Sequence, residues 1–464
     1  VLQDAKSPSG WRFRSSYHGA ISDYRKALTL IPSSHRAFKG AAFDRLSRMF
    51  FAEPNLVRRG TRADAAAAEF VAFPSLAGDT LAFVPFPREG LNDSRRMAYP
   101  APDLAAVEAG RRALRGLAAE WARSFPASPI ALEAEAQAFE RTGDVAGDHT
   151  LPDSALLRYR EARKLAADPD DRIRLAASEL RVLVKQGQFA AAAQFADSLL
   201  DAAPASGGES AGLLSGAAAL VGRADLAADL ARRAAGDAVV WGADGRVLQV
   251  PLALRETALA YEALSAVGGP ADSLMRLRDR ASRQLQGLVG QSARAAVEGA
   301  LLDRSYALQY PGPGSVPLTR RPHPTDYLLE MQGALRGGDT VSVRQWLNEI
   351  GERRRDFRPV DVALEGVYQE SLSALALGDT AAVVARLDAV LGALPTASSD
   401  LTGRVASAGS LVRAMMLRAR LAAIAGDRIT AKKWATPVTL LWARADAGLR
   451  AEVDEMRRLA AQPS

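Results

Sequence analysis

YHGAISDYRKALTLIP, residues 17–32, is the stretch on which the reading of the fold turns. Ala20, Tyr24 and Ala27 stand at i, i+4 and i+7, which places them on one face of a helix. The small Ala side chains let a neighbouring helix come close while Tyr fills the groove between, and Pro32 stops the helix. The segment after it, HRAFKGAAFDRLSRMF (35–50), again spaces Phe38, Ala42, Arg45 and Leu46 as a helix face, so it is expected to pack on the Tyr24 side. A pair of helices of this kind cannot bury its apolar face alone, and further pairs must stack on it.

The rest of the chain supplies such pairs. In residues 171–204, Gly187, Phe189, Ala192, Ala196, Leu199 and Pro204 form a turn and a following helix, and Pro169 to Pro204 spans 35 residues. A further pair, 209–236, turns at Gly222 to Asp225. Gly338-Asp339-Thr340 and Gly378-Asp379-Thr380 lie 40 residues apart, and Gly378 to Pro395 is the same 17-residue interval as Gly187 to Pro204. In each turn Gly is expected to end one helix in a left-handed cap while Asp begins the next, with Gly426-Asp427 a third example. The final stretch, 447–463, reads as an amphipathic helix that caps the array.

Tyr17, Ala20, Tyr24, Ala27 and Pro32 resemble the second helix of a tetratricopeptide (TPR) repeat, and Gly187 to Pro204 resembles its turn and second helix. The resemblance implies an all-α chain: a TPR-like α-solenoid of antiparallel helix pairs with two short irregular or β insertions. The expected organisation is a TPR-like repeat over 1–63, an insertion over 64–101, and a central array over 102–304 with a hairpin near 237–251. A Pro- and Gly-rich linker over 305–324 and a C-terminal array over 325–464 follow. The hairpin rests on Asp244-Gly245 between two β-prone runs. Too few residues precede Tyr17 for a normal first helix, which predicts a partner helix from upstream sequence, another chain or the folded-back WRFR segment. Irregular Ala- and Arg-rich arrays of this type resemble C-terminal regions of bacterial Ser/Thr kinases and other signalling proteins. The compartment, cytoplasmic or beyond the membrane, is left open by these residues.

Composition narrows the chemistry. Among 464 residues, 48% are hydrophobic and only 6% aromatic, so the core is built from Ala, Leu and Val, of which Ala and Leu favour helices. No apolar run approaches the roughly 18 uncharged residues of a membrane span. The absence of Cys excludes disulfides, thiolate metal sites and thiol catalysis. The net charge of +6 comes almost wholly from Arg and is interleaved with Asp and Glu, which points to solvated helix faces and away from nucleic acid.

Nucleophile elbow, HExxH, Walker loop, dinucleotide fingerprint and kinase motifs are all lacking, so the chain is read as non-catalytic, with no cofactor. His149 with Asp144, Asp148 and Asp153 reads as a polar loop, and Asp168, Asp170 and Asp171 as acidic caps at a helix start. The carboxylate pairs Glu133 with Glu135 and Glu452 with Glu455 are expected on solvated faces. Some TPR proteins grip a C-terminal carboxylate with Lys and Asn; Lys39 matches one such Lys, but Phe43 stands where Asn would be, so no clamp is predicted.

The expected role is protein or peptide binding, or self-association, as a scaffold or interaction module. Candidate contacts are Tyr17, Tyr24, Lys39, Arg45, Arg48, Arg181 and Lys185, the cations favouring an acidic partner. Phe83 and Phe86, with Phe73, read either as a partner patch or as cover for the first repeats. Two other classes remain open: a small-molecule sensor with a pocket in the groove, and a structural subunit of a surface assembly.

Overall fold

A computed structural model of the protein describes residues 30, 39–40, 42–43, 115–146, 151–202, 207–236, 238–241, 247–286, 327–353, 364–397 and 400–462. Apart from one two-stranded ribbon, the elements in these residues are helices. The chain divides into two compact units: Val1–Val182 with Arg353–Asp361 and Pro395–Ser398, and Leu183–Glu352 with Val362–Leu394 and Ser399–Ser464. The insertion expected over 64–101 and the linker over 305–324 lie outside the described residues.

In the first unit a helical segment at 115–124 precedes α1 (Pro129–Ala146) and α2 (Leu151–Leu165), which pack on each other, and α3 (Pro169–Lys185) as far as Val182. Buried Ala131, Ala138, Ala155 and Ala162 show the small-residue core that the composition anticipates. Phe43 stacks on Trp121 with ring centroids 6.0 Å apart and meets Phe125 edge-on. Asp168 accepts the Asp170 N–H at 2.9 Å, and Asp170 and Asp171 follow in the first turn of α3, so the acidic run caps a helix.

The second unit contains α4 (Phe189–Ala202), α5 (Gly208–Leu220) and α6 (Ala224–Arg233), then strands β1 (Ala238–Trp241) and β2 (Val247–Val250), then α7 (Leu252–Val267) and α8 (Ala271–Gln286). In the stretch read as a hairpin, β1 and β2 pair antiparallel, with Ala238 opposite Val250 and Trp241 opposite Val247. After them come α9 (Tyr327–Arg336), α10 (Thr340–Arg353), α11 (Leu364–Ala376) and α12 (Thr380–Gly392). The chain closes with α13 (Asp400–Gly403), α14 (Val405–Ile424), α15 (Arg428–Leu441) and α16 (Arg450–Ala460).

One turn recurs through this unit. At Gly187, Gly222, Gly268, Gly338, Gly378 and Gly426 the glycine N–H bonds the carbonyl three residues back, and the next N–H bonds the carbonyl five back. This pattern closes a helix only if the glycine is left-handed; Gly378, at φ +79°, takes a conformation that a Cβ would strain by about 1 kcal/mol. Where Asp follows the glycine, its carboxylate starts the next helix: Asp339 accepts from Ser342 N, Asp379 from Ala382 N and Asp427 from Thr430 N, at 3.0 to 3.1 Å.

The centre of the unit is α14. From Ala406 to Val412 and from Ala414 to Ala419 every side chain is buried, because α5, α7, α11, α12, α13, α15 and α16 all pack against it. A helix surrounded in this way must be apolar or small on every face. Its first half, VASAGS, is small: a Cβ on Gly409 would stand 2.5 Å from the Ala266 carbonyl oxygen at the end of α7. Gly216 of α5 meets the Thr402 carbonyl of α13 just as closely. α15 also packs on α4, so helices from either side of 305–324 share one core. The turn after α15 locks onto the turn before α6: Asp446 N–H bonds Gly222 O at 3.1 Å, and its carboxylate accepts Asp225 N–H at 3.0 Å.

A G409A variant is expected to lose about 1–3 kcal/mol in urea unfolding, because the added methyl meets backbone, not a movable side chain. G351A, on α10 with open space around its Cα, is expected instead to gain about 0.5–1 kcal/mol by helix propensity.

Candidate functional site

The densest set of charged side chains in the first unit lies along α1, α2 and α3. Glu133 and Glu140 are seven residues apart on α1, and Arg174 and Arg181 are seven apart on α3, so each pair makes a stripe two turns long. The stripes join in register: Arg174 bonds Glu133 and Arg181 bonds Glu140, both across 41 residues of sequence.

Glu140 and Glu179 are the most enclosed carboxylates of the set, each with 1% of its surface exposed. Arg181 donates to Glu140 twice, Nε to Oε1 at 2.8 Å and Nη2 to Oε2 at 2.9 Å, and the Tyr159 hydroxyl of α2 donates to Oε2 at 2.9 Å. Such a fork satisfies both carboxylate oxygens, which is the condition for tolerating a buried charge. Glu179 of α3 is held by Arg163 and, at 3.4 Å, by Arg160, both on α2.

Glu135 is the exception. Arg158 Nε stands 2.8 Å from its Oε2, but not in line for a hydrogen bond, because the Arg158 fork is engaged at 2.6 Å with Glu161. Burial therefore dominates and pushes the Glu135 carboxyl above its ordinary range, with Arg158 opposing. In the second unit the corresponding pairs are Arg418 with Asp388 (2.7 and 3.0 Å) and Arg420 with Glu455 (2.5 to 3.0 Å). Hydrogen bonding from Arg420 holds Glu455 below the usual carboxylate range.

Two of the cations expected to meet a partner are placed otherwise. Arg181, its side chain 11% exposed, is committed to Glu140, and Lys185 is 1% exposed. Neither is available to an acidic ligand. Glu133 and Glu135 are likewise buried, not solvated, because α1 is enclosed on both the Arg174 and the Arg158 sides. Lys39 is half-buried, and Phe43, at the position an Asn would need, belongs to the Trp121 core. Tyr17, Tyr24, Arg45, Arg48, Phe83 and Phe86 lie outside the described residues. The reading of single residues missed Glu140 and Tyr159; the matched seven-residue spacings of Glu on α1 and Arg on α3 were the available signal.

Chemically, this arrangement holds helices at a fixed register. The guanidinium groups of Arg158, Arg163, Arg174 and Arg181 are each aimed at a carboxylate, not at an open space where a substrate atom could sit. Among the described residues, no three His, Asp or Glu converge as metal ligands, and no helix is long and apolar enough to cross a membrane. The sequence matches no protein-family model and none of the curated proteins.

Glu140→Ala leaves a buried guanidinium and a phenol without their acceptor, and is expected to cost about 3–5 kcal/mol in chemical unfolding. Arg181→Ala in the same background is expected to add far less than it does alone, which a double-mutant cycle measures. For Glu135, a folded pKa above the unfolded one means the folded chain binds the proton more tightly, so its contribution is present at low pH and lost as pH rises through the folded value. The melting midpoint of E135Q relative to the parent should therefore move in the variant's favour between about pH 4 and about pH 8.

Proposed function

We propose that this chain is a non-catalytic interaction module, a TPR-like array of helical hairpins that binds another polypeptide. The observation that carries the reading is repetition, with the charged clusters among the described residues paired across helices. One Gly-centred turn recurs six times among the described residues, and four of the polar bridges between helices share a nearly constant sequence offset. Glu133 to Arg174 and Glu140 to Arg181 span 41 residues, Gln332 to Ser373 spans 41, and Ser407 to Glu365 spans 42. A constant offset is what stacked units of about 40 residues produce when equivalent helices lie side by side. Apart from Glu135, the titratable groups described on α1, α2 and α3 come together as satisfied pairs, which favours a scaffold over acid–base chemistry. A place as the interaction region of a bacterial signalling protein accords with the TPR-like reading.

The sensor reading keeps one specific observation. Gln332 of α9 and Gln369 of α11 are buried, and each has a side-chain oxygen without a hydrogen-bond partner. Two such acceptors would suit a small donor molecule between those helices.

Proximity labelling with the chain expressed in a bacterial host of similar composition, followed by reconstitution of any labelled pair, tests the first reading. A binary complex with one polypeptide at micromolar or better affinity is the expected outcome. A metabolite that raises the melting midpoint, and loses that effect in Q332L/Q369L, without any polypeptide partner, would replace it with the sensor.

A further inference from the structure

The whole formal charge of the chain is concentrated at its end. Residues 401–464 contain eleven Lys and Arg against five Asp and Glu, an excess of six, equal to the net charge of all 464 residues. Four of the nine guanidinium groups of this segment are engaged by other helices or turns. Arg413 donates to the Ser265 carbonyl and lies over the Tyr368 ring, Arg418 and Arg420 hold Asp388 and Glu455, and Arg444 reaches Asp197 at 3.4 Å. Among the exposed cations without a salt bridge in the described residues are Arg428 and Lys432 on α15, and Arg450 at the start of α16. Lys433 beside them is exposed and rests over the Trp434 ring, 4.9 Å from its centroid.

These lysines do not stand on an ordinary charged face. Ile429, Lys432, Lys433, Thr436 and Leu440 recur at i, i+3, i+4, i+7 and i+11, and so form one stripe along the outer side of α15, about 16 Å long. Ile429 is 71% exposed and Leu440 38%, and Ile424, across the Gly426 turn, is 83% exposed. The opposite side of α15, with Ala431, Trp434, Ala435, Val438 and Leu441, is already buried against α14, α16 and α4. The stripe is therefore surplus to folding: two cations in the middle, with aliphatic side chains at either end.

We infer that the outer face of α15 docks an acidic segment of a partner polypeptide, whose carboxylates meet Lys432 and Lys433 while its aliphatic side chains cover Ile429 and Leu440. Charge complementarity and the flanking aliphatics together select this occupant. A nucleic-acid backbone offers phosphates in a continuous row but no aliphatic surface for Ile429 and Leu440. Only seven of the 59 basic residues are Lys, yet two stand side by side here, each a compact ammonium on a flexible stem that can reach a single carboxylate. The site lies where the unpaired charge is, not at Arg181 and Lys185, whose charges are buried. The inference rests on the interaction-module reading and specifies the chemistry of its partner.

The test uses the full chain and fluorescence anisotropy at about 50 and about 200 mM salt, where screening separates charge from apolar contact. The probes are labelled helical peptides of about 16 residues carrying Glu and Leu at i, i+4 spacing, the same peptides with Gln for Glu, a short DNA duplex, and vesicles containing phosphatidylglycerol. The Glu–Leu peptide is expected to bind and the Gln peptide not. K432E/K433E is expected to weaken binding at least about tenfold at low salt, the scale of two exposed pairs turned repulsive. I429S/L440S is expected to weaken it several-fold while leaving the salt dependence unchanged; all four positions are exposed or at the rim, and far-ultraviolet circular dichroism checks that both variants fold. Peptide binding unchanged in K432E/K433E overturns this site while leaving an interaction module in place. Failure of every acidic peptide, or tighter binding of DNA or vesicles through the same lysines, overturns the acidic partner; failure of the labelling experiment above strikes the module reading itself.

Discussion

The second unit depends on how closely its helices can approach α14. With Gly409 against the end of α7 and Gly216 against α13, main chain meets main chain across two contacts, and no side chain larger than hydrogen fits at either. Close approach of this kind increases the dispersion contacts of every neighbouring Ala, which is how a chain with few aromatics reaches interior packing density. Ala217, Ala219, Ala260, Ala263, Ala408 and Ala419 are all buried to within 1% of their surface. The small residues are thus a requirement of the architecture and not merely a compositional bias.

Charge is used in two ways. Within each unit, Arg side chains are spent on carboxylates that packing has removed from water, as in Arg181 with Glu140 and Arg386 with Glu370. Such pairs contribute little net stability, because desolvation offsets most of the attraction, but they penalise any slip of one helix past another. A shift by one turn would leave Glu133 and Glu140 facing neither guanidinium, and a shift by two turns would bring only one of them opposite an Arg. On α15 the same kind of charge is left outside, next to exposed aliphatics, where it specifies nothing about the fold. That contrast between internal register and external surplus separates structural cations from those free to recognise something.

Much of the local structure was legible in the residues. Glycine at 187, 222, 338, 378 and 426, followed at three of them by Asp, announced the turns, since few other sequences satisfy both a left-handed helix end and a side-chain cap. The two β-prone runs near 237–251 likewise showed their pairing through composition and the Asp244-Gly245 turn signal between them. Glu133, Glu135, Arg181 and Lys185 were not legible singly, because a charged residue on an amphipathic helix looks the same whether water or an opposite charge covers it.

By itself, then, the sequence determined that the described residues are mainly helical, where the helices before the glycine turns stop and which Asp caps three of those that follow, because those choices are made within five or six residues by backbone sterics and local hydrogen bonds. The tertiary structure alone decided which charges are available. Whether Arg181 or Lys432 faces solvent depends on helices brought alongside from 30 or more positions away, and local periodicity contains no information about that neighbour. It also decided that α14, a modest apolar helix in sequence, stands at the centre of its unit, since only the convergence of α5, α7 and α11 from distant parts of the chain makes it so.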